Sequence, residues 1–183
     1  IVCNSTDTNE ILLRKFIGRI RAWQNFMARG GDLMLSPEAE IGLYGELVVL
    51  KKILETNLPL VDSVAAWQGP LGGIHDFTIG TGSIEVKTTI TRTVFSVKIG
   101  SLEQLDNSLV SSLYLAGIRL KIGENGRTLP DFSKDIRLQL SADSEAVSLY
   151  NNLLIQAGLI DTNLDGYTRR FIHTETIVYL VDD

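Results

Sequence analysis

Residues 75–89 read HDFTIGTGSIEVKTT and set one acid, Asp76, ahead of an acid-x-lysine triplet, Glu85-Val86-Lys87. Phosphodiester hydrolysis assisted by a divalent metal calls for groups of this kind: hard carboxylate oxygens to hold the ion, an activated water, and a cation near the reacting phosphate. Asp76 and Glu85 supply carboxylates. Side chains alternate along an extended strand, so Glu85 and Lys87 share one face and Val86 takes the other. Lys87 is then placed to orient the attacking water or to stabilise charge growing on phosphate. The same triplet also describes a solvated strand face with one charge pair, so by itself it leaves both readings open. Thr88 and Thr89, next in line, suit either a phosphate contact or an ordinary strand.

The flanking elements must position these groups. HDFTI, SIEVKTT and VFSVKI read as short strands separated by turns, and LVDSVAAWQ (60–68) as a strand leading into the turn GPLGG. A short helix capped by Ser101 follows at SLEQLDNSL. SSLYLAGIRLKI (111–122) is almost continuously apolar, which predicts a central strand. GENGRTLPD reads as a loop, and SADSEAVSLYNNLLIQAG as a helix capped around Ser141 and stopped by Gly158. The tail YTRRFIHTETIVYLVDD alternates enough for one or two strands.

Upstream, SPEAEIGLYGELVVLKKILETN is a helix with clear punctuation: Ser36 caps it, Pro37 suits its first turn, and Lys51 and Lys52 complement the dipole at its end. Leu43, Tyr44, Leu47, Val48 and Leu54 form its apolar stripe. Glu46 is its odd member. Three and four residues away stand Gly42, Leu43, Val49 and Leu50, so no in-helix lysine can pair with it. A carboxylate in such company is costly unless it stays partly exposed or something cationic meets it. Gly42 and Gly45 weaken the helix but let another backbone or a ligand come close.

Bulk properties narrow the class. The chain has 183 residues, 44% hydrophobic and 21% charged, which fits a soluble globular protein with a substantial core. No apolar run approaches the ~20 residues of a membrane span, no signal pattern opens the chain, and the first residue is Ile1 rather than Met. A lone Cys3 excludes an internal disulfide framework and a multi-cysteine zinc site, so a reducing, cytoplasmic setting is expected. The formal net charge of −5 argues against a whole-surface grip on nucleic acid. One local exception is NEILLRKFIGRIRAWQNFMARGG, an amphipathic helix with an apolar stripe of Leu12, Phe16, Ile20, Trp23 and Met27. Arg14, Lys15, Arg19, Arg21 and Arg29 lie along it without an intervening acid, as a nucleic-acid contact or a solvated basic face.

Other chemistries fit less well. Neither His75 nor His173 comes with a nucleophile elbow or a zinc-ligand spacing, although His75 could support a neighbouring ligand. A carboxylate-pair glycosidase built on Glu46 and Glu85 would leave Lys87 without a role.

Taken together, the helix GLYGELVVL, the acid in HDF and the triplet IEVK resemble the PD-(D/E)xK nuclease superfamily. GLYGELVVLKKIL, WQGPLGGIHDF, IEVKTT, SLEQLD, LYLAGIRL and GLIDTNLDGYTRRF look closest to an uncharacterised branch found in operons read as restriction or phage-defence systems. The resemblance implies an α/β, restriction-endonuclease-like core (helix, β-meander, helix, strand), with a mixed sheet flanked by helices and a C-terminal α/β extension. It implies one domain over 1–183: a helical arm at 1–31, a catalytic core at 37–122 and accessory elements at 123–183. Asp76 falls on the second meander strand and Glu85-Val86-Lys87 on the third, with Glu46 as the acid of the first helix. The implied activity is a divalent-metal-dependent endonuclease acting on DNA, with Mg²⁺ or Mn²⁺ held by Asp76, Glu85 and Glu46. Lys87 and Gln104 of the second helix complete the catalytic set, and a homodimer or a larger defence complex is the expected assembly. One departure is His75, which stands where the superfamily's name puts proline. The rival reading is a catalytically silent DNA- or partner-binding module on the same fold. If the basic helix grips phosphate, reversing Arg14, Arg19 and Arg21 to Glu weakens DNA binding and flattens its salt dependence. An unchanged salt slope in a filter-binding titration would leave the patch as a solvated face.

Overall fold

The computed structural model describes residues 34–91 and 110–181, the side chains of 161–163 excepted. The basic N-terminal helix with Arg14, Lys15, Arg19 and Arg21, the run VFSVKI, and the Ser101-capped helix with Gln104 lie outside the described residues.

Helix α1 spans Pro37–Leu54 with the expected punctuation. The Ser36 hydroxyl accepts from the Ala39 N–H at 3.2 Å, Glu38 and Glu40 occupy the first turn, and Lys51 and Lys52 the last. Its buried stripe includes Leu43, Tyr44, Leu47, Leu50 and Ile53. Four described strands follow: β1 (Phe77–Ile79), β2 (Gly82–Thr89), β3 (Ser112–Arg127) and β4 (Phe171–Val181). They lie in the order β1-β2-β3-β4, with β1/β2 and β3/β4 antiparallel and β2/β3 parallel. The sheet is therefore mixed, and β3 is internal, as its apolar run predicts. The β1–β2 hairpin turns through Gly80 and Thr81, and Gly80 has φ +58°, which favours glycine there. Helices α2 (Leu60–Ala65), α3 (Leu129–Gln139) and α4 (Ser144–Ala157) complete the described α/β framework. Val86, Ile118 and Phe171 from the sheet join Leu47 of α1, Ile136 of α3 and Tyr150 of α4 in one buried cluster. Tyr44 stacks on Phe132 at 4.7 Å between ring centroids and meets Phe171 at 5.0 Å, tying α1 to α3 and β4. Arg169 clamps the approach to β4 onto the start of α1, donating from Nε to Glu40 at 2.9 Å and from Nη2 to the Pro37 carbonyl at 2.9 Å.

Three expectations are corrected. LVDSVAAWQ is not a strand: Leu60–Ala65 form α2, and only Trp67 bridges β1, through Phe77. Pro59 in the cap position and Asp62 in the first turn are helix-start signals that a short apolar run obscured. GENGRTLPD is not a loop either. Strand β3 continues through a register shift between Ile122 and Arg127, and Thr128 then caps α3, its hydroxyl accepting from the Asp131 N–H at 3.2 Å. Finally, α4 is capped by Asp143 rather than Ser141; Oδ1 accepts from the N–H groups of Glu145 and Ala146, both at 3.0 Å. Gly158, at φ 92°, stops α4 as expected, and the tail is one strand.

The two glycines of α1 differ. A Cβ on Gly45 would collide with the Thr88 hydroxyl of β2, whereas one on Gly42 meets nothing within 4 Å. The close approach anticipated for both glycines thus holds for Gly45 alone, and Thr88 is committed to the helix–sheet contact. Gly42→Ala should therefore raise stability by about 0.5–1 kcal/mol through helix propensity. Gly45→Ala should lower it by about 1–3 kcal/mol through overpacking. Urea unfolding of both variants checks this, and equal effects would mean that α1 does not sit at contact distance from β2.

Candidate active site

Each carboxylate of the site is carried by a different element. Glu46 projects from the middle of α1, and its Oε2 accepts from the indole Nε1–H of Trp67 at 2.7 Å. Asp76 directly precedes β1. Its carbonyl accepts from the N–H groups of Gln68 and Gly69 at 2.8 and 3.0 Å, and its Oδ2 accepts from the Val86 N–H of β2 at 2.7 Å. Phe77 pairs with Ile84, so the same register carried one residue outward sets Asp76 opposite Glu85. Glu85 is only 2% exposed, and its Oε1 accepts from Lys87 Nζ at 2.7 Å. Val86 turns the other way, into the core cluster. The alternation expected of the triplet is present.

Gly69 shows how closely two of the acids converge. A Cβ built there would stand 2.7 Å from Glu46 Oε2 and 3.1 Å from Asp76 Oδ1, so any larger residue would intrude between them. The absence of a side chain lets the two carboxylates pack this close to the backbone. Thr89 is turned to Thr91, 2.9 Å between hydroxyls. His75 is buried beside Asp76, and its Nε2 has no hydrogen-bond partner among the described residues.

The acids hold their protons unusually tightly. Burial pushes the Glu46 carboxyl up to about 8, reinforced by the charge of Asp76 and opposed by the indole hydrogen bond. Burial also raises Asp76 to about 6, with Glu85 adding to the rise and the Val86 N–H opposing it. Glu85 is raised by burial too, against the pull of Lys87. Of the two ways to tolerate Glu46, the structure shows the first: the side chain stays partly exposed, and its direct partner is a neutral N–H donor rather than a cation. One ammonium thus faces a group of acids whose negative charge it does not balance.

This donor set suits a hard divalent cation, which takes carboxylate oxygens and would favour their ionised forms. Among the described residues, no three Asp, Glu, His or Cys side chains already stand at a spacing that would hold an ion. The N–H groups of Trp67, Val86 and Lys87 occupy one oxygen each of Glu46, Asp76 and Glu85. Two of the three acids thus already bring hard oxygens together beside Gly69, and that convergence is what suits a cation.

A family model described as "Putative PD-(D/E)XK family member, (DUF4420)" matches residues 2–183. The chain belongs to this PD-(D/E)XK family. No curated protein and no solved structure matches it. The mixed sheet with flanking helices is consistent with the restriction-endonuclease-like fold of PD-(D/E)XK proteins, and nucleases of that kind are generally dependent on a divalent metal. One correction concerns the meander: the strand expected ahead of Asp76 is represented in this PD-(D/E)XK chain by α2 and the single Trp67–Phe77 bridge.

Sequence reasoning missed Trp67 and Gly69. WQGPLGG was read as a strand end and a turn, and the one available signal was a tryptophan two positions before a glycine in the segment leading to the acid.

The raised carboxyls give a stability prediction. Between its ordinary 4.5 and about 8, Glu46 binds more proton folded than unfolded, so its contribution to stability falls as pH rises through that window. Without metal, Glu46→Gln should match the parent near pH 5 and melt about 2–4 °C or more above it at pH 8.5. A thermal scan at both pH values checks this, and no gain at pH 8.5 would show that the ionised Glu46 carries no strain.

Proposed function

We propose that the chain is a divalent-metal-dependent endonuclease that hydrolyses phosphodiester bonds of DNA, working in the cytoplasm in restriction or phage defence. The convergence of Glu46 and Asp76 beside Gly69, with the Glu85–Lys87 pair in register beside Asp76, carries this reading. Asp76, Glu46 and Glu85 would hold the cation, Mg²⁺ or Mn²⁺. The ion would supply Lewis acidity toward phosphate oxygen and lower the pKa of bound water.

The chain's own residues divide the remaining work. An ammonium has donors and no acceptor, so Lys87 is not a ligand. Its role is to donate to the attacking water or to the phosphate as negative charge grows there. Glu85 holds the lysine in place through their 2.7 Å contact. By resemblance, Gln104 touches a water molecule or the DNA backbone, and Arg14, Lys15, Arg19 and Arg21 supply phosphate contacts that a chain of net charge −5 otherwise lacks. Cutting both strands of a duplex calls for two such sites, which favours a homodimer or recruitment into a larger defence complex.

One observation favours a second reading. Glu85 is closed on Lys87 at 2.7 Å, an arrangement that also suits a silent module that binds DNA or a partner without cutting.

Calorimetric metal binding beside single-turnover plasmid cleavage separates the two. Asp76→Ala or Glu85→Ala should weaken metal binding and eliminate cleavage, and Glu46→Ala should act the same way to a smaller extent. Lys87→Ala should leave metal affinity equal or slightly higher, because a nearby positive charge opposes the cation. Its cleavage should nonetheless fall by a factor on the order of 10², about 3 kcal/mol of transition-state stabilisation. Undiminished cleavage by Lys87→Ala would return the triplet to a strand-surface charge pair.

A further inference from the structure

We propose that Trp67 is a positioning residue of this site: its buried indole N–H fixes Glu46 relative to Asp76, and so sets the affinity for the divalent cation. The inference rests on the nuclease reading above and assigns a function to a residue outside the acid and lysine motif.

Trp67 is fully buried, and its only hydrogen-bonding side-chain atom donates to Glu46 Oε2 at 2.7 Å. The indole is braced from behind. Its ring lies 6.3 Å from that of Tyr150, whose hydroxyl donates to Ser133, at 3.1 Å to Oγ and 3.3 Å to the carbonyl. The main chain of the same segment is fastened to β1. Trp67 bridges Phe77, the Ala66 carbonyl accepts from the Thr78 N–H at 2.9 Å, and the N–H groups of Gln68 and Gly69 close on the Asp76 carbonyl. Residues 66–69 therefore grip Asp76 by backbone and Glu46 by side chain. The two acids stand 30 positions apart in sequence on separate elements, and this segment makes their spacing a property of one rigid piece.

The donor's chemistry matters as much as its place. An Arg or Lys at this point would orient Glu46 equally well but would neutralise it and repel an incoming cation. An indole N–H carries no charge, so it fixes the oxygen and leaves the negative charge for the metal. Glutamate has several rotatable bonds, and without the indole it would sample rotamers that face away from Asp76. Outer groups that orient metal ligands typically change affinity by about 10–100-fold when removed.

Two measurements test this. Trp67→Phe keeps a ring for packing and removes the N–H. It should weaken Mg²⁺ and Mn²⁺ binding by about 10-fold or more, and cost no further affinity in a Glu46→Gln background, because it acts through that residue. The second leaves Trp67 in place. The chain has two tryptophans, so ¹⁵N-labelled Trp23→Phe protein shows one indole resonance. Mg²⁺ should shift that resonance in step with calorimetric binding, and Glu46→Gln should remove the shift. Metal binding by Trp67→Phe as tight as in the parent overturns the proposal, as does an equal loss in both backgrounds or an indole signal that ignores saturating Mg²⁺. If the parent binds neither ion, the metal reading itself falls and takes this proposal with it; parent binding with an unaffected Trp67→Phe variant sinks the positioning role alone.

Discussion

Negative charge gathered where water is scarce is the constraint around which this part of the molecule is arranged. Glu46, Asp76 and Glu85 are each kept from ionising freely by burial, and Glu46 and Asp76 also by a neighbouring carboxylate. Such an arrangement persists only if the surrounding structure over-determines it. The over-determination is visible: an indole for Glu46, a strand N–H for Asp76, an ammonium for Glu85, and a tight α1–β2 contact at Gly45 that brings the first acid within reach of the others. Two residues before Glu46, Tyr44 packs on Phe132 and Phe171 and holds α1 on the framework against the repulsion.

How much of this could be read from sequence varied with the kind of signal. Helix α1 was legible because Ser36, Pro37 and the terminal charges act through local geometry, and the Glu85–Lys87 face followed from strand alternation alone. The central place of β3 followed from its nearly unbroken apolar run. Helix α2 was not legible as such, since six residues are too few for a helical period to separate from a buried strand. The extension of β3 was masked by glycines, which read as a loop yet here accommodate a register shift; a Cβ on Gly126 would stand 2.7 Å from the Phe171 carbonyl. Trp67 and Gly69 were invisible for a deeper reason. One works through a partner 21 positions away and the other through a missing atom, and neither relation leaves a periodic trace.

The donors that satisfy the acids differ in how they would respond to a cation. The Val86 N–H belongs to the backbone and the Trp67 N–H to a buried ring, so both are fixed. Lys87 is a long, flexible side chain, 17% exposed, and of these donors only it can swing while the fold stays intact. The site thus has a rigid half, Glu46 with Asp76, and an adjustable half, Glu85 with Lys87. A ligand that draws on Glu85 would redirect the ammonium toward whatever negative group accompanies it.

The pairing of β2 with β3 has a kinetic consequence. The β1–β2 hairpin closes through the two residues Gly80 and Thr81, a local event, and it brings Asp76 toward Glu85 with only its own turn as scaffold. Parallel pairing of Thr89 with Arg119 must instead wait for a long crossover to close, and Glu46 arrives only when α1 docks on the sheet. Glu46 therefore comes in with the same step that buries Leu43, Leu47 and Leu50 of α1, so the hydrophobic gain of docking meets the cost of bringing a third carboxylate to the site.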